Sequence, residues 1–162
     1  MKAETLHWVI LIALVAGLGL SIFAWQETVN PGLQTVCSVN PLFSCQAVDR
    51  SGHNTVFNVP DYLIGILGFA AMLAIDIPLL LTWRRSLLLG LLVLSLGGVA
   101  FSVYFLVVEI FQIGAICPVC LSTYVANGIV LACAIALWRR GRAEAKPVES
   151  DEPSGPRAEP SG

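Results

Sequence analysis

Cysteines are the residues of this chain whose type and spacing could carry out chemistry. Seven residues separate Cys37 from Cys45, whereas Cys117 and Cys120 form the tetrapeptide Cys-Pro-Val-Cys. Pro118 suits the first position of a helix, which places Cys117 near the N-cap. The partial positive charge at a helix N-terminus favours thiolate over thiol, and thiolate is the form that attacks disulfides. The Cys117–Cys120 spacing of one helical turn is therefore typical of a redox-active pair.

Two other arrangements fit the same cysteine spacing. Cys37 with Cys45, and Cys117 with Cys120, could be static disulfides that fix exposed loops. Four thiolates could also bind zinc, but the spacing of the first pair is wide for a zinc site and the chain has just two histidines. We therefore predict no metal site. The fifth cysteine, Cys133, is predicted to pack as a small apolar residue.

The composition of the chain predicts a membrane protein. Its 162 residues are 56% hydrophobic and 12% charged, and the mean hydropathy is +0.78. Four apolar runs have the length of about 20 residues that a membrane-spanning helix needs: residues 6–25, 62–83, 86–108 and 119–138. The first run is too long for the apolar region of a signal peptide, which has about 7 to 15 residues. The expected fold is an all-α, four-helix membrane bundle, residues 1–140.

Basic residues predict the orientation of this bundle, because cytoplasmic segments carry an excess of Lys and Arg. The segment 26–61 has one basic residue, Arg50, and the connection 114–117 has none, so we expect both outside the cytoplasm. Both termini are expected in the cytoplasm, and the Pro- and Ser-rich residues 141–162 are expected to be disordered. The residues that mark the inner side are Lys2, Arg84, Arg85, Arg139, Arg140 and Arg142.

This topology places Cys37, Cys45, Cys117 and Cys120 on the extracytoplasmic, oxidising side of a plasma or inner membrane, where disulfides persist. A soluble protein thiol cannot enter the bilayer and a lipid-soluble quinone cannot leave it, so a relay between them needs a dithiol at the interface. Cys117 and Cys120 suit that position, and the long loop carrying the other two cysteines suits a shuttle to a soluble partner. The net charge of −2 argues against nucleic acid as a partner.

The motifs resemble those of the bacterial vitamin K epoxide reductase homologues that act as quinone-coupled disulfide oxidases. The similar segments include CSVNPLFSC (37–45), Ser51, FNVPDYLIGILGF (57–69) and IGAICPVCLSTYVAN (113–127), and the similarity extends over residues 5–140. The resemblance implies a thiol:quinone oxidoreductase that uses menaquinone, ubiquinone or a vitamin K-type quinone. It also implies a separate extracytoplasmic thioredoxin-like oxidase as the partner, which this protein would reoxidise to support disulfide formation in exported proteins.

The resemblance also implies residue roles. Cys117 and Cys120 would form the active-site pair, with Cys120 facing the quinone and Cys117 exchanging with Cys45. Cys37 would meet the reduced partner protein. Ser51 would assist the shuttle cysteines through a hydrogen bond, although a plain turn serine is equally consistent with its position. Tyr124 would line the quinone pocket and donate to a ring carbonyl, and Asn127 would line it or make an interhelical hydrogen bond. Asn58 is a further candidate for the quinone carbonyl.

Two acidic residues interrupt the predicted spans. Asp76 precedes Pro78 and is expected to pair or to reach the inner interface. Glu109 ends the third span, where we expect an interfacial position, although a proton relay would also fit.

Other functions remain open on sequence alone. They are a reductase for vitamin K epoxide or quinone that is fed by small dithiols, and a non-enzymatic membrane protein with static disulfides. A transporter is weakly supported, since the chain lacks repeated charged half-helices.

Overall fold

Long apolar helices make up most of the protein. A computed structural model describes residues 3–30, 32–33, 37–38, 40, 42–52, 55–56, 59–82 and 84–144. The elements in chain order are α1 (Ala3–Val29), α2 (Cys45–Arg50), β1 (Thr55–Val56), β2 (Val59–Pro60), α3 (Asp61–Leu81), α4 (Arg85–Val108), a π-helical turn (Glu109–Ile113) and α5 (Pro118–Glu144). The two short strands pair antiparallel.

Four helices are long and apolar enough to cross a membrane, which confirms the predicted all-α membrane bundle. α1 and α4 each pack against both α3 and α5, so the helices surround a common interior. Many large apolar side chains point outward, such as Leu81 and Phe111, which are 82% and 80% exposed. An apolar surface of this extent would be unfavourable in water, whereas it is favourable against the hydrocarbon of a bilayer.

The helices depart from the predicted bounds at two places. α1 continues past Trp25 to Val29, because the sequence contains no Pro or Gly between Trp25 and Pro31. α5 continues to Glu144, since Arg, Ala and Glu are good helix formers. Residues 141–144, which we expected to be disordered, are therefore helical, and residues 145–162 lie outside the described residues. The segment 26–61, expected to lack regular structure, contains α2 and the two strands.

The interior has a filled half and a hollow half. Buried side chains of the four long helices fill the half near the start of α1 and the end of α5, and they include Ile10, Leu14, Leu79, Leu88, Leu91, Val130, Ala134 and Leu137. Cys133 is a free cysteine within this core, which confirms its predicted packing role. The other half, where α1 ends and α5 begins, is the cysteine-bearing half and contains a cavity.

Polar contacts join the helices in the filled half. His7 Nδ1 of α1 lies 3.8 Å from Asp76 Oδ1 of α3, and both side chains are buried. The guanidinium of Arg85 lies 4.7 Å from the centre of the Trp138 ring, a cation–π contact between α4 and α5. Asp76 is therefore paired with another helix, one of the two arrangements expected for it.

Candidate active site

Main-chain hydrogen bonds hold the segment before α2 against the segment before α5. Phe43 and Ile116 form an isolated parallel bridge. The Ile116 N–H donates to the Leu42 carbonyl at 2.8 Å, and the Ser44 N–H donates to the Ile116 carbonyl at 3.2 Å. Cys117 directly follows Ile116, and Cys45 directly follows Ser44, whose N–H donates to Ile116. These bonds therefore bring together two cysteines from distant parts of the chain.

The start of α2 fixes the position of Cys45. Ser44 is the N-cap of this helix, and its hydroxyl accepts a hydrogen bond from the Ala47 N–H at 3.2 Å, the usual role of serine at this position. Cys45 is the first residue of the helix and forms a disulfide with Cys37. Cys37 and Cys45 are 6% and 7% exposed, so this disulfide is packed into the protein.

The second cysteine pair lies at the start of α5. Pro118 is the first residue of this helix, which confirms the predicted helix start, and Cys117 and Cys120 are free thiols. The Cys120 N–H donates to Cys117 Sγ at 3.2 Å. Cys45 Sγ lies 3.2 Å from Cys117 Sγ. The structure therefore places the sulfur of one pair in contact with the sulfur of the other.

Three sulfur atoms, those of Cys37, Cys45 and Cys117, lie within 4.8 Å of one another. Such a cluster could hold a metal ion if all three were thiolates. The disulfide between Cys37 and Cys45 uses two of these sulfurs, so in this state they are not thiolate ligands. The arrangement instead suits thiol–disulfide exchange, in which a thiolate attacks one sulfur of a disulfide.

The contact between Cys45 and Cys117 predicts a specific cross-link. In the variant Cys37→Ala/Cys120→Ala, each remaining thiol has lost its other partner, and the two sulfurs are already 3.2 Å apart. Mild oxidation with diamide should therefore join Cys45 to Cys117 in most molecules. Peptide mapping without reduction would detect this bond.

A matched control for the cross-link replaces Cys117 by Ala as well. It leaves Cys45 with Cys133, which lies in the core of the filled half, so no internal cross-link should form. Equal cross-linking in the variant and this control, or none in the variant, would contradict the placement of Cys45 beside Cys117.

The hollow half of the bundle contains a cavity of about 360 Å³. Its lining comes from all four long helices and is mostly apolar, with a few polar groups contributed by Asp61, Tyr62, Cys120, Tyr124 and Asn127. Small-molecule sites commonly combine an apolar wall with a few polar groups that fix the orientation of the ligand. Cys120, Tyr124 and Asn127, predicted to face a quinone, thus share one cavity.

Asn127 is held in a notch between α4 and α5. Its Nδ2 donates to the Ser95 carbonyl at 3.4 Å, and a Cβ added at Gly98 would lie 2.5 Å from the same nitrogen. Asn127 is 4% exposed, and its Oδ1 has no hydrogen-bond partner among the described residues. An unpaired buried oxygen is costly, so this atom is suited to accept a hydrogen bond from a ligand.

A second, smaller cavity of about 40 Å³ lies next to the sulfur atoms. Cys45, Cys117 and Cys120 line it, together with Asp61. Cys120 and Asp61 line the larger cavity as well. Cys120 is therefore the cysteine that borders both the sulfur cluster and the larger cavity.

Glu109 connects the cysteine motif to the larger cavity. Its Oε2 accepts a hydrogen bond from the Cys117 N–H at 3.1 Å, and its Oε1 accepts one from the Tyr124 hydroxyl at 3.0 Å. Glu109 is 1% exposed, so its carboxylate is enclosed by the protein, and the interfacial depth expected for it stays a prediction. The π-helical turn that begins at Glu109 ends at Gly114, whose φ of 72° suits glycine, and this turn carries the carboxylate inside.

Ser51 lies at the end of α2, away from the larger cavity. Its hydroxyl donates to the Val48 carbonyl at 2.7 Å, as expected of a serine that ends a helix. A role beside the shuttle cysteines stays a prediction for Ser51. Asn58 lies outside the described residues.

The sequence analysis missed Asp61 and did not predict the burial of Glu109. A signal for Glu109 was available, because it is the one charged residue in the sequence between Arg85 and Arg139, and such residues within spans are usually functional. Asp61 directly precedes the second predicted span, where an acidic residue at a helix N-terminus needs no functional explanation. Its position on both cavities is visible only in three dimensions.

The fold and the site together define a class of protein. Membrane-spanning helices with a disulfide in contact with a thiol at one end are the arrangement of a membrane thiol oxidoreductase. The chain belongs to the vitamin K epoxide reductase family, whose model matches residues 8–135. No curated protein matches the chain.

Proposed function

We propose that this protein reoxidises an extracytoplasmic thioredoxin-like protein and passes two electrons to a membrane quinone. The 3.2 Å contact between Cys45 Sγ and Cys117 Sγ supports this proposal most directly, because it is the contact that exchange between the two pairs requires. The family supplies the general class of reaction. The finer assignment of partner, quinone and residue roles is ours.

The first half of the proposed reaction takes place on the loop disulfide. A thiolate of the reduced partner attacks Cys37 Sγ, the bond to Cys45 breaks, and Cys45 leaves as a thiolate. The second thiol of the partner then attacks the mixed disulfide, so the partner leaves oxidised and Cys37 keeps a thiol. Two electrons have entered the loop pair, and two protons have left the thiols of the partner.

The second half transfers these electrons to the pair on α5. Cys45 thiolate attacks Cys117 Sγ of a Cys117–Cys120 disulfide, and Cys120 leaves as a thiolate. Cys37 then attacks Cys45, which restores the loop disulfide and releases Cys117. The described arrangement, with Cys37 bonded to Cys45 and with Cys117 and Cys120 free, corresponds to the state after this exchange.

The cavity beside Cys120 fits a quinone ring. It has about 360 Å³ of space, within the range of roughly 300 to 1,000 Å³ of ligand sites. Tyr124 and Asn127 would lie beside the ring oxygens, and the unpaired Asn127 Oδ1 could accept a hydrogen bond from a hydroxyl of the hydroquinone product. A bound quinone would supply an acceptor for two electrons and two protons, and Cys120 is the cysteine that borders it.

The orientation proposed from the sequence agrees with this reaction. We place the cysteine-bearing half on the extracytoplasmic side and both termini in the cytoplasm, because the basic residues lie at the opposite ends of the helices. The partner would then meet Cys37 in the compartment in which exported proteins acquire disulfides.

The wild-type protein tests the proposal directly. The full chain is reconstituted in lipid nanodiscs with a naphthoquinone, and dithiothreitol is added as the electron donor. We expect quinone absorbance to fall as dithiol is oxidised, one quinone for each disulfide formed. If the quinone is withheld, alkylation of free thiols should show that the loop cysteines become reduced. Cysteines that stay oxidised under these conditions would indicate static disulfides and contradict the proposal.

A further inference from the structure

Glu109 is a buried group of the candidate active site that the proposed reaction leaves without a role. It lies at the turn between α4 and α5, and each of its two carboxylate oxygens accepts one hydrogen bond. In the part of the chain that the structure describes, no basic side chain forms an ion pair with it. A carboxylate kept at this depth without a cation is expensive, so its two donors must compensate for the loss of water.

The two donors differ in what they can do. The Cys117 N–H can only donate, whereas the Tyr124 hydroxyl has one proton to donate and lone pairs to accept with. An ionised Glu109 accepts a hydrogen bond from the Tyr124 hydroxyl, so only the lone pairs of that hydroxyl remain for the cavity. A protonated Glu109 can instead donate to the Tyr124 oxygen, which leaves the hydroxyl proton free to point into the cavity.

The two orientations of the Tyr124 hydroxyl proton suit opposite redox states of a bound quinone. Quinone oxygens only accept hydrogen bonds, whereas hydroquinone hydroxyls can donate them. We propose that Glu109 is a positioning residue which, through the Tyr124 hydroxyl, makes the cavity favour hydroquinone when Glu109 is ionised and quinone when Glu109 is protonated. This inference rests on the proposed quinone function. It adds that the protonation state of Glu109 determines which redox form of the ligand binds more tightly.

The chemistry of the site allows Glu109 to change its protonation state with no net gain or loss of protons, because Glu109 can release one of the protons that the quinone takes up and regain one from the thiols. Formation of one disulfide from the Cys117 and Cys120 thiols releases two protons, and conversion of a quinone to a hydroquinone takes up two. The Cys117 backbone lies against Glu109, so the carboxylate is next to the residue whose oxidation state changes. The other ionisable groups whose charge acts on Glu109 include Asp61 of α3 and Cys120 of α5. The short helix α2, which contacts the π-helical turn, carries Asp49 and Arg50.

The substitution Glu109→Gln isolates this effect from the fold. A glutamine amide has the shape of a protonated carboxyl group. Its oxygen can accept from the Cys117 N–H and its NH₂ group can donate to the Tyr124 oxygen. Both hydrogen bonds are then kept, and the Tyr124 proton is turned toward the cavity. Circular dichroism and thermal unfolding should therefore resemble those of the parent protein.

Ligand binding, rather than turnover, tests the inference. Every protein in the experiment carries Cys120→Ala, which prevents transfer of electrons to the ligand. Dissociation constants for 2-methyl-1,4-naphthoquinone and for its hydroquinone are measured without oxygen in nanodiscs. At a pH at which Glu109 of the parent protein is ionised, we expect Glu109→Gln to raise the ratio of the hydroquinone constant to the quinone constant by about tenfold, since the affinity for each ligand changes a few-fold, and in opposite directions, when one hydrogen bond is gained or lost. As the pH is lowered and Glu109 of the parent becomes protonated, the ratios of the two proteins should converge.

Tyr124→Phe is the control, because it removes the hydroxyl through which Glu109 acts. In this background, Glu109→Gln should leave the ratio of constants unchanged within about twofold. Infrared spectra provide a second measurement: the carbonyl stretch of the bound quinone should move to lower frequency in Glu109→Gln but not in the double variant. An unchanged ratio in Glu109→Gln, or the same change without the tyrosine hydroxyl, would overturn the inference while the proposed function stands. Failure of both ligands to bind the parent protein would overturn the proposed function itself.

Discussion

Replacing Cys117 or Cys120 by Ala is expected to abolish quinone reduction with every electron donor. Each sulfur takes part in the disulfide that receives electrons from the loop, and Cys120 is the one that borders the larger cavity. Since neither thiol can form that disulfide alone, we expect turnover to fall by at least about a hundredfold for protein and small dithiols alike. Quinone absorbance in reconstituted nanodiscs measures this rate.

Cys133→Ala is the matched control for these changes. Cys133 is a free cysteine in the core of the filled half, so its replacement removes a thiol of the same protein without touching either pair. Its turnover should stay near that of the wild type. If Cys117→Ala or Cys120→Ala kept a substantial part of the wild-type rate, the electrons would have to reach the quinone by another route.

The loop cysteines should separate protein donors from small ones. Cys37→Ala or Cys45→Ala should lower the rate with a reduced thioredoxin-like protein by about a hundredfold, because in the proposed reaction the partner attacks Cys37 and the electrons pass to Cys117 through Cys45, whose sulfur lies 3.2 Å from that of Cys117. Dithiothreitol is small enough to attack at Cys120, which is partly exposed and borders both cavities. Its rate should fall by no more than about fivefold.

The comparison of the two donors decides the role of the loop. Rates are measured for both donors in the same nanodisc preparation, with Thr55→Ala as a control that changes an exposed residue of the same segment outside the disulfide. If Cys37→Ala leaves the rate with the protein donor unaltered, the loop pair is not a shuttle. If both donors fail equally, the loop disulfide instead maintains the geometry of the inner pair.

Hydrophobic runs were sufficient to predict the spans, because the bilayer requires about 20 apolar residues in each spanning helix. The same rule does not apply to short elements in the connecting segment. α2 has six residues, too few for an apolar period to be visible, and it depends on the Ser44 cap and on the contact with residues 116 and 117. Its existence is a consequence of tertiary structure that no local pattern could indicate.

The chemical identity of the site was predictable, but its internal arrangement was not. The Cys-Pro-Val-Cys spacing indicated a pair at a helix start, whereas the proximity of Cys45 to Cys117 could be expected only through the resemblance to a family. The burial of Glu109 was not predicted, because the position of a residue at the end of an apolar run says nothing about which way its side chain points. A π-helical turn changes that direction, and its presence is not encoded in hydropathy.

The bridge between Phe43 and Ile116 has a further consequence for how this sequence can vary. Backbone amides and carbonyls form this connection, so the side chains at these positions can be substituted. The residues at 44 and 116 must keep a backbone N–H, because these two groups donate the hydrogen bonds. The number of residues between the bridge and Cys45 is much more strictly constrained. One residue inserted between Phe43 and Cys45 would displace the sulfur by about 3.3 Å, the advance of one extended residue, roughly doubling the 3.2 Å distance between Cys45 Sγ and Cys117 Sγ, the two atoms that must form a bond. We therefore expect substitutions at this bridge to be tolerated and insertions to be excluded.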